Sequence, residues 1–519
     1  MKRTSFITGA IILTLANFIV RLSGFIFRIY LSRLLGPEGI GIYQLVLPIY
    51  VFLLTLANAG ISVTVSRFVA EEWSRGKTLG IKRVIINSVV VITLWNIVLS
   101  MITYYSMADI STHILKDERT YLPLLVSIPC LFIVGYSSVL RGFFYGMQSS
   151  TTPALAQIIE QMLKIIIVLL AIPYISHLGI EYSIALVVAA MVIGEMAGLA
   201  ILYFNYVRNK KKVFKGTVLK LKKRIINLGT ITKILSMTIP VSMSGLIRTG
   251  MQSLNAILIP HRLVAAGYSN TEAISIFGKI SGMALPLIFF PSVIISALCV
   301  TLIPAISEAA PLKNYTLIAK RTTQAIKMTL IVSTLTCCLY LTLSHPIAQV
   351  IYNSRQIGDM LLSLAVGSIF MYLQFTLTSI LNGMGEQKVA LKYSIISSGI
   401  VLLCVFYLVA MPKVGIYGFS IGFILSALVA TMLSINFIKK KIGIEIRIRN
   451  LIMKPLVISM AAALLSNVLY RLMSEHGANP WLSLASSVLA SVLLYLVLLI
   501  ITKTVSVSNF KRLLPFSKT

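Results

Sequence analysis

Apolar runs long enough to cross about 30 Å of hydrocarbon recur from one end of the chain to the other. They fall near residues 6 to 35, 42 to 69, 84 to 107, 121 to 147, 153 to 176, 182 to 207 and 231 to 260. A second set follows near 273 to 306, 317 to 344, 358 to 384, 389 to 411, 414 to 438, 451 to 473 and 480 to 502. In lipid every backbone polar group must be satisfied within the protein, and helices do this within one segment. The pattern therefore predicts an all-α polytopic membrane protein of about 14 transmembrane helices.

The polar segments between the runs alternate in charge. Arg75, Lys77, Lys82 and Arg83 follow the second run, whereas Asp109, Asp117 and Glu118 follow the third. Arg208 to Arg224 holds nine Lys or Arg and no acid, and Lys439 to Lys454 holds six more positives. By the positive-inside rule these even-numbered loops and both termini are cytoplasmic. The segment 208–230 also carries Val213, Phe214, Val218, Leu219, Leu221, Ile225 and Ile226 among its lysines. It reads either as a helix lying on the anionic inner leaflet or as a solvated basic linker.

Composition agrees with this picture and removes one alternative. Hydrophobic residues make up 57% of the 519, charged residues 12%, and mean hydropathy is +0.91, outside the range of a soluble globular chain. The net charge of +31 would suggest nucleic acid in a soluble protein. Basic cytoplasmic loops account for it here, so no nucleic-acid partner is expected. The five cysteines lie in apolar segments without metal or redox spacing and read as packing residues. Lys2 and Arg3 precede a first run too long for a signal peptide, which is expected to stay as the first span.

The two halves echo each other. Leu140-Arg141-Gly142 with Gly146 and Gln148 corresponds to Leu381-Asn382-Gly383 with Gly385 and Gln387 at an offset of 239 to 241. Leu47-Pro48 corresponds to Leu285-Pro286, and Arg21 to Arg248. An even number of spans per repeat makes the repeats parallel, related by an axis along the membrane normal, with substrate sites between them. The expected division is an N-lobe over 1–207, the basic linker 208–230, a C-lobe over 231–440, two further helices within 441–503 and a cytoplasmic tail 504–519.

Charge inside the spans points to function. On the first, Asn17, Arg21, Gly24 and Arg28 share one helical face, and on the seventh Arg248, Gln252 and Asn255 repeat the spacing. An arginine at the centre of a membrane helix costs about 2.5 to 3.5 kcal/mol on insertion scales and normally faces a watery cavity or a partner. Guanidinium forks match phosphate and carboxylate oxygens, so these residues read as a site for an anionic substrate, a phosphate or pyrophosphate. The alternative is that the arginines serve packing by bonding backbone carbonyls. Arg67, Arg141 and Lys327 lie near cytoplasmic ends and read as interfacial anchors.

Glu160 and Lys164 are four apart on the fifth span, in the favoured orientation for an ion pair, and Glu195 lies deep in the sixth. They read either as ion-coupling residues, because a dry carboxyl can bind a proton or sodium ion, or as a neutralising pair with a third charge nearby. Pro123, Pro129, Pro240, Pro286, Pro291 and Pro304 lie within spans and mark kinks or hinges. Gly76-Lys77-Thr78 has the end of a phosphate loop, but Glu71 stands where its first glycine would be. No catalytic residue, metal site or cofactor is expected, and the chain reads as a non-enzyme.

The run Arg21-Leu22-Ser23-Gly24-Phe25, then Arg28, Arg33, Leu35-Gly36-Pro37-Glu38-Gly39-Ile40-Gly41-Ile42-Tyr43, and Val65-Ser66-Arg67-Phe68-Val69-Ala70-Glu71 resembles the stage V sporulation protein B family. That family sits in the multidrug/oligosaccharidyl-lipid/polysaccharide (MOP) flippase superfamily. The resemblance implies a MATE-like fold of two six-helix lobes around a V-shaped cavity, plus two C-terminal helices that form a lipid-tail groove. It implies a flippase that moves a lipid-linked, lipid II-like peptidoglycan precursor across the cytoplasmic membrane by alternating access, for spore cortex or cell wall. In the related lipid II flippases a cavity arginine falls at Arg21. Their pattern continues Gly-Phe-x-Arg-Asp, whereas Phe27 and Arg28 stand in the last two positions here, and Val51, Phe52 and Leu53 occupy the region of a further arginine.

The expected partners are thus an anionic lipid-linked saccharide and membrane lipids, acting on a monomer. A sodium or proton gradient or the membrane potential is the expected energy source. The alternative functions are a cation-coupled multidrug or other polysaccharide-lipid exporter of the same fold, and a structural or signalling membrane protein that recruits partners through its basic loops. A pocket for cationic drugs wants acids on the first, second, seventh or eighth span, and the buried parts of those spans show only basic groups.

Overall fold

The computed structural model describes residues 6–58, 60–213, 227–443, 448–502 and 504, and among them the regular structure is helical throughout. Most of the basic segment 208–230 and nearly all of the tail 504–519 lie outside the described residues, including the stretch read as a surface helix. Among the described residues, fourteen helical stretches are long and apolar enough to cross a membrane. The chain is a multi-pass membrane protein.

Contacts divide the chain into two units, Met1–Pro260 with Asn270–Gly278, and His261–Ser269 with Lys279–Thr519. The first holds α1 (Phe6–Asn58), α2 (Ile61–Ser74), α3 (Thr78–Asp109), α4 (Tyr121–Gly146), α5 (Thr151–Ile175), α6 (Ile180–Val213), most of α7 (Leu228–Ala265) and α8 (Asn270–Phe277). The 53 residues of α1 would measure about 80 Å as one straight helix, far more than a bilayer. Gly36, at φ 68° and ψ −179°, interrupts it. Only glycine adopts that conformation cheaply, so the first span ends there and the second begins. Ile61, Val65, Ile85, Val139, Phe143 and Leu202 form the core of this unit at the centre of α2, α3, α4 and α6.

The second unit holds α9 (Leu285–Phe289), α10 (Ser292–Ala309), α11 (Tyr315–Tyr352), α12 (Arg355–Gly383), α13 (Gln387–Leu408), α14 (Tyr417–Ile442), α15 (Ile448–Glu475) and α16 (Pro480–Ile501). Its core gathers Ile306, Ile318, Leu330, Leu377, Ile380 and Ile438. The pair α15 and α16 packs through small polar residues: Ser466 Oγ donates to the Ser487 carbonyl at 2.8 Å and Ser491 Oγ to that of Ala462 at 3.0 Å. Tyr495 Oη ties α16 to α11 by donating to the Ile331 carbonyl at 3.0 Å.

The repeat read from sequence has a physical signature in each unit. A Cβ on Gly142 of α4 would lie 2.7 Å from the Ser62 carbonyl oxygen and 2.8 Å from Val65 Cβ on α2. A Cβ on Gly383 of α12 would lie 3.1 Å from the Ile303 carbonyl oxygen and 3.0 Å from Ile306 Cβ on α10. Neighbour relations match as well: α2, α3 and α6 surround α4 as α10, α11 and α14 surround α12.

Two runs read as continuous spans are broken. The run 42–69 divides between Asn58 and Ile61, with Gly60 at φ 68°. Trp95 Nε1 donates to the Leu56 carbonyl at 2.8 Å and satisfies a group near that break. The run 273–306 divides into α8, a π-helical stretch Gly278–Ala284, α9 and α10, with Phe290 and Pro291 between the last two. Pro291 has no N–H for the Leu287 carbonyl four residues back. Tyr340 Oη donates to that carbonyl and Tyr372 Oη to Ile288, each at 2.6 Å. The broken runs are the second and the eighth, matching positions of the two repeats.

Candidate functional site: a charged helix face in the first unit

The polar face of the first span runs beside α5 in parallel register. Asn17 Oδ1 accepts a hydrogen bond from Gln157 Nε2 at 3.1 Å. A Cβ on Gly24 would stand 3.3 Å from Gln161 Nε2, so the absent side chain makes room for that amide. One turn on, Lys164 Nζ lies 5.4 Å from the centre of the Phe27 ring, within the range of a cation–π contact. Arg28 is half-buried and within electrostatic reach of Lys164 and Tyr43. Arg21 is exposed.

On α7 one face is committed to packing. Thr238, Ser242, Thr249 and Ser253 are buried, Thr238 Oγ1 donates to Thr64 Oγ1 at 2.9 Å, and Ser253 Oγ donates to the Pro48 carbonyl at 3.0 Å. These contacts fix α7 against α1 and α2. Arg248 and Gln252 project from another face and are exposed. Asn255 is half-buried, and its Oδ1 has no hydrogen-bond partner among the described residues. Arg21, Arg248 and Gln252 therefore present polar groups at the surface of apolar helices, midway along them.

Behind this face lies a charge network that the spacing of residues misassigns. Glu160 does not pair with Lys164 one turn away; the Arg141 guanidinium of α4 holds its carboxylate. Glu195 on α6 completes the group at 3.7 Å from Arg141. Arg141, read as an interfacial anchor, has a side chain only 27% exposed and joins three helices. Glycines admit the network: a Cβ on Gly194 would lie 2.7 Å from the Glu160 carbonyl oxygen, and one on Gly198 would collide with the Glu160 side chain. Arg141 Nε and Glu195 Oε2 are buried without hydrogen-bond partners among the described residues. The signal available in the sequence was the Gly194 and Gly198 pair opposite an acid, but the arginine partner comes from a separate helix.

A second polar cluster caps the same unit at the opposite end from the basic loops. Arg119 bonds Glu38 at 2.6 Å and Asp117 at 2.8 Å, and Asn270 Nδ2 donates to the Lys116 carbonyl at 3.1 Å. Just below, Gly41 and Gly278 let α1 and α8 touch: a Cβ on Gly41 would lie 2.7 Å from Ile274 Cγ2, and one on Gly278 would lie 2.7 Å from the Gly41 amide nitrogen.

Known proteins share this architecture. A solved structure of the lipid II flippase MurJ in an inward closed conformation superposes with a TM-score of 0.70 at 14% identity, over 95% of this chain and 98% of that one. An inward-facing multidrug resistance MATE transporter of the MOP superfamily superposes with a TM-score of 0.63 at 16% identity, over 84% and 96%. At such identities these likenesses define the fold alone: an all-α multi-pass membrane protein with the architecture of those two structures. A family profile described as Polysaccharide biosynthesis protein matches residues 6–310 and one described as Lipid II flippase MurJ matches 282–489. The chain belongs to the polysaccharide biosynthesis protein family. Among curated relatives, stage V sporulation protein B of Bacillus subtilis (strain 168) is 26% identical over 514 residues, covering 99% of this chain and 98% of that protein.

Proposed function

We propose that the protein is a flippase for an anionic lipid-linked saccharide, a lipid II-like peptidoglycan precursor used in spore cortex or cell-wall synthesis. The observation that carries this reading is the pair of exposed arginines, Arg21 and Arg248, halfway along apolar helices. Exposed guanidinium groups at that depth suit a phosphate-bearing headgroup moving through a wet path. Asn17, Gln252 and Asn255 supply neutral hydrogen bonds beside them, and Arg28 adds charge. The profile described as Lipid II flippase MurJ, matched by residues 282–489, favours the same substrate class.

Transport proceeds by alternating access, with both termini in the cytoplasm and a sodium or proton gradient or the membrane potential as driving force. Glu160, Lys164 and Glu195 are the charged groups through which an ion would act. A site for cationic drugs needs acids, and the half-buried Glu160 and Glu195 both face the Arg141 guanidinium. The test is exposure of the lipid-linked precursor on the outer surface of cells that depend on this protein. Wild type supports exposure; Arg21→Ala and Arg248→Ala at equal expression reduce it at least about tenfold, the effect of losing one charged hydrogen bond. No exposure with wild type would rule out this substrate.

A further inference from the structure

The interruption of the second span leaves a cavity of about 350 Å³ within the first unit. Val51, Leu54 and Asn58 of α1 line it, with Val134 of α4 and Val241 and Gly245 of α7. Gly245 has no side chain to fill the space, and a Cβ there would meet only Thr55 Cγ2, at 3.4 Å. The end of α1 that carries Asn58 is anchored, because Trp95 Nε1 donates to the Leu56 carbonyl.

Thr55 and Ser242 also reach the cavity, but their hydroxyl protons are committed, to the Val51 carbonyl at 2.8 Å and the Thr238 carbonyl at 2.6 Å. Asn58 Oδ1 differs. It is buried and has no hydrogen-bond partner among the described residues. An amide oxygen taken out of water without a donor costs free energy, so its retention in a cavity wall calls for something that supplies the donor. A water held there would want about three polar partners, whereas Val51, Leu54, Val134 and Val241 present hydrocarbon. The group that suits this wall carries one N–H beside a small apolar end.

The cavity also adjoins an arginine of the charged face. Gly245 lies three residues before Arg248 on α7, so the two positions are neighbours on the helix surface, about 5 to 6 Å apart. A phosphate held by Arg248 leaves the sugar attached to it beside the cavity.

We propose that this cavity receives the acetamido group of an N-acetylated amino sugar: Asn58 Oδ1 accepts its N–H, and Val51, Leu54 and Val241 contact its methyl. This rests on the flippase reading for the phosphate at Arg248 and deepens it by naming the class of sugar.

The test measures binding of two probes to the full chain in lipid nanodiscs: polyprenyl-pyrophosphate N-acetylglucosamine and polyprenyl-pyrophosphate 2-O-acetylglucose. The second keeps the acetyl group and replaces only the N–H, by an ester oxygen. Wild type prefers the acetamido lipid at least about fivefold, the effect of one hydrogen bond. Asn58→Leu brings that ratio to about one. The same substitution removes an unpaired buried acceptor and raises the thermal unfolding midpoint of the unliganded chain, whereas a purely structural Asn58 would make the midpoint fall. Equal affinity of wild type for the two lipids, an unchanged ratio in Asn58→Leu or a lowered midpoint overturns the proposal and leaves the flippase reading standing. A preference that Asn58→Leu abolishes, with no transfer of either lipid between leaflets by wild type in vesicles, overturns the flippase reading alone. Binding of neither lipid by wild type overturns both.

Discussion

Arg141 shows how one side chain can be misjudged from its place in a helix. Its position near the cytoplasmic end of a span suggests snorkelling to the interface, but its guanidinium joins α4 to Glu160 and Glu195. Helical spacing predicts which residues share a face; it does not reveal which residue of another helix competes for that face. Arg21 and Arg248 are the opposite case, since a charge amid apolar residues is visible in the sequence and the structure leaves both exposed. Removing one member of a buried ion pair costs about 3 to 5 kcal/mol. Glu160→Ala leaves Arg141 with Glu195 alone, so a loss of about 2 to 3 kcal/mol in unfolding free energy is expected by that measure. Replacing the pair together, Arg141→Met with Glu160→Gln, is expected to cost more than Glu160→Ala in the same denaturation assay, because Glu195 is then left without the guanidinium.

Helices were legible from hydropathy, and of the interruptions inside the second and eighth runs only the one at Pro291 was marked, as a kink or hinge. An apolar window averages over Gly60 and over Phe290-Pro291, so the second and eighth spans looked continuous. The breaks depend on partners elsewhere, such as Trp95 for the Leu56 carbonyl and Tyr340 for that of Leu287. Tyr340→Phe removes one of two donors to the Leu287 carbonyl, which keeps the Phe290 amide at 3.2 Å, and is expected to lower stability by about 0.5 to 1.5 kcal/mol, measured as a drop in the thermal unfolding midpoint. The crossing of α1 and α8 is more sensitive to volume than to polarity. Gly41→Val places a branched side chain against Ile274, and overpacking of this kind costs about 1 to 3 kcal/mol. Gly36→Ala meets open space but strains the backbone at φ 68°, so its effect is expected to be smaller than that of Gly41→Val in the same assay.

At the scale of the molecule, the repeat was readable because glycines recur where helices touch most closely. Gly142 and Gly383 are conspicuous in sequence, and each meets a backbone carbonyl across a helix contact. The difference between the repeats was harder to see, since Asn382 in place of Arg141 looks conservative until the acids on α5 and α6 are found beside it. Orientation rests on loop charge and has a separate check. A cysteine at His113 is expected to react with an impermeant reagent added outside intact cells, and one at Lys77 only after the membrane is opened. The reverse pattern would invert the direction of transport.

We propose that exposed arginines within the spans carry a lipid-linked anion across the membrane. The most direct measurement of this is the rate at which the full chain, reconstituted in vesicles, moves a labelled polyprenyl-pyrophosphate saccharide between leaflets. The expected result is rapid movement with wild type, a decrease of at least about tenfold in Arg21→Ala and in Arg248→Ala, and partial recovery in Arg21→Lys. Equal rates for wild type and both alanine variants at matched protein content would contradict it.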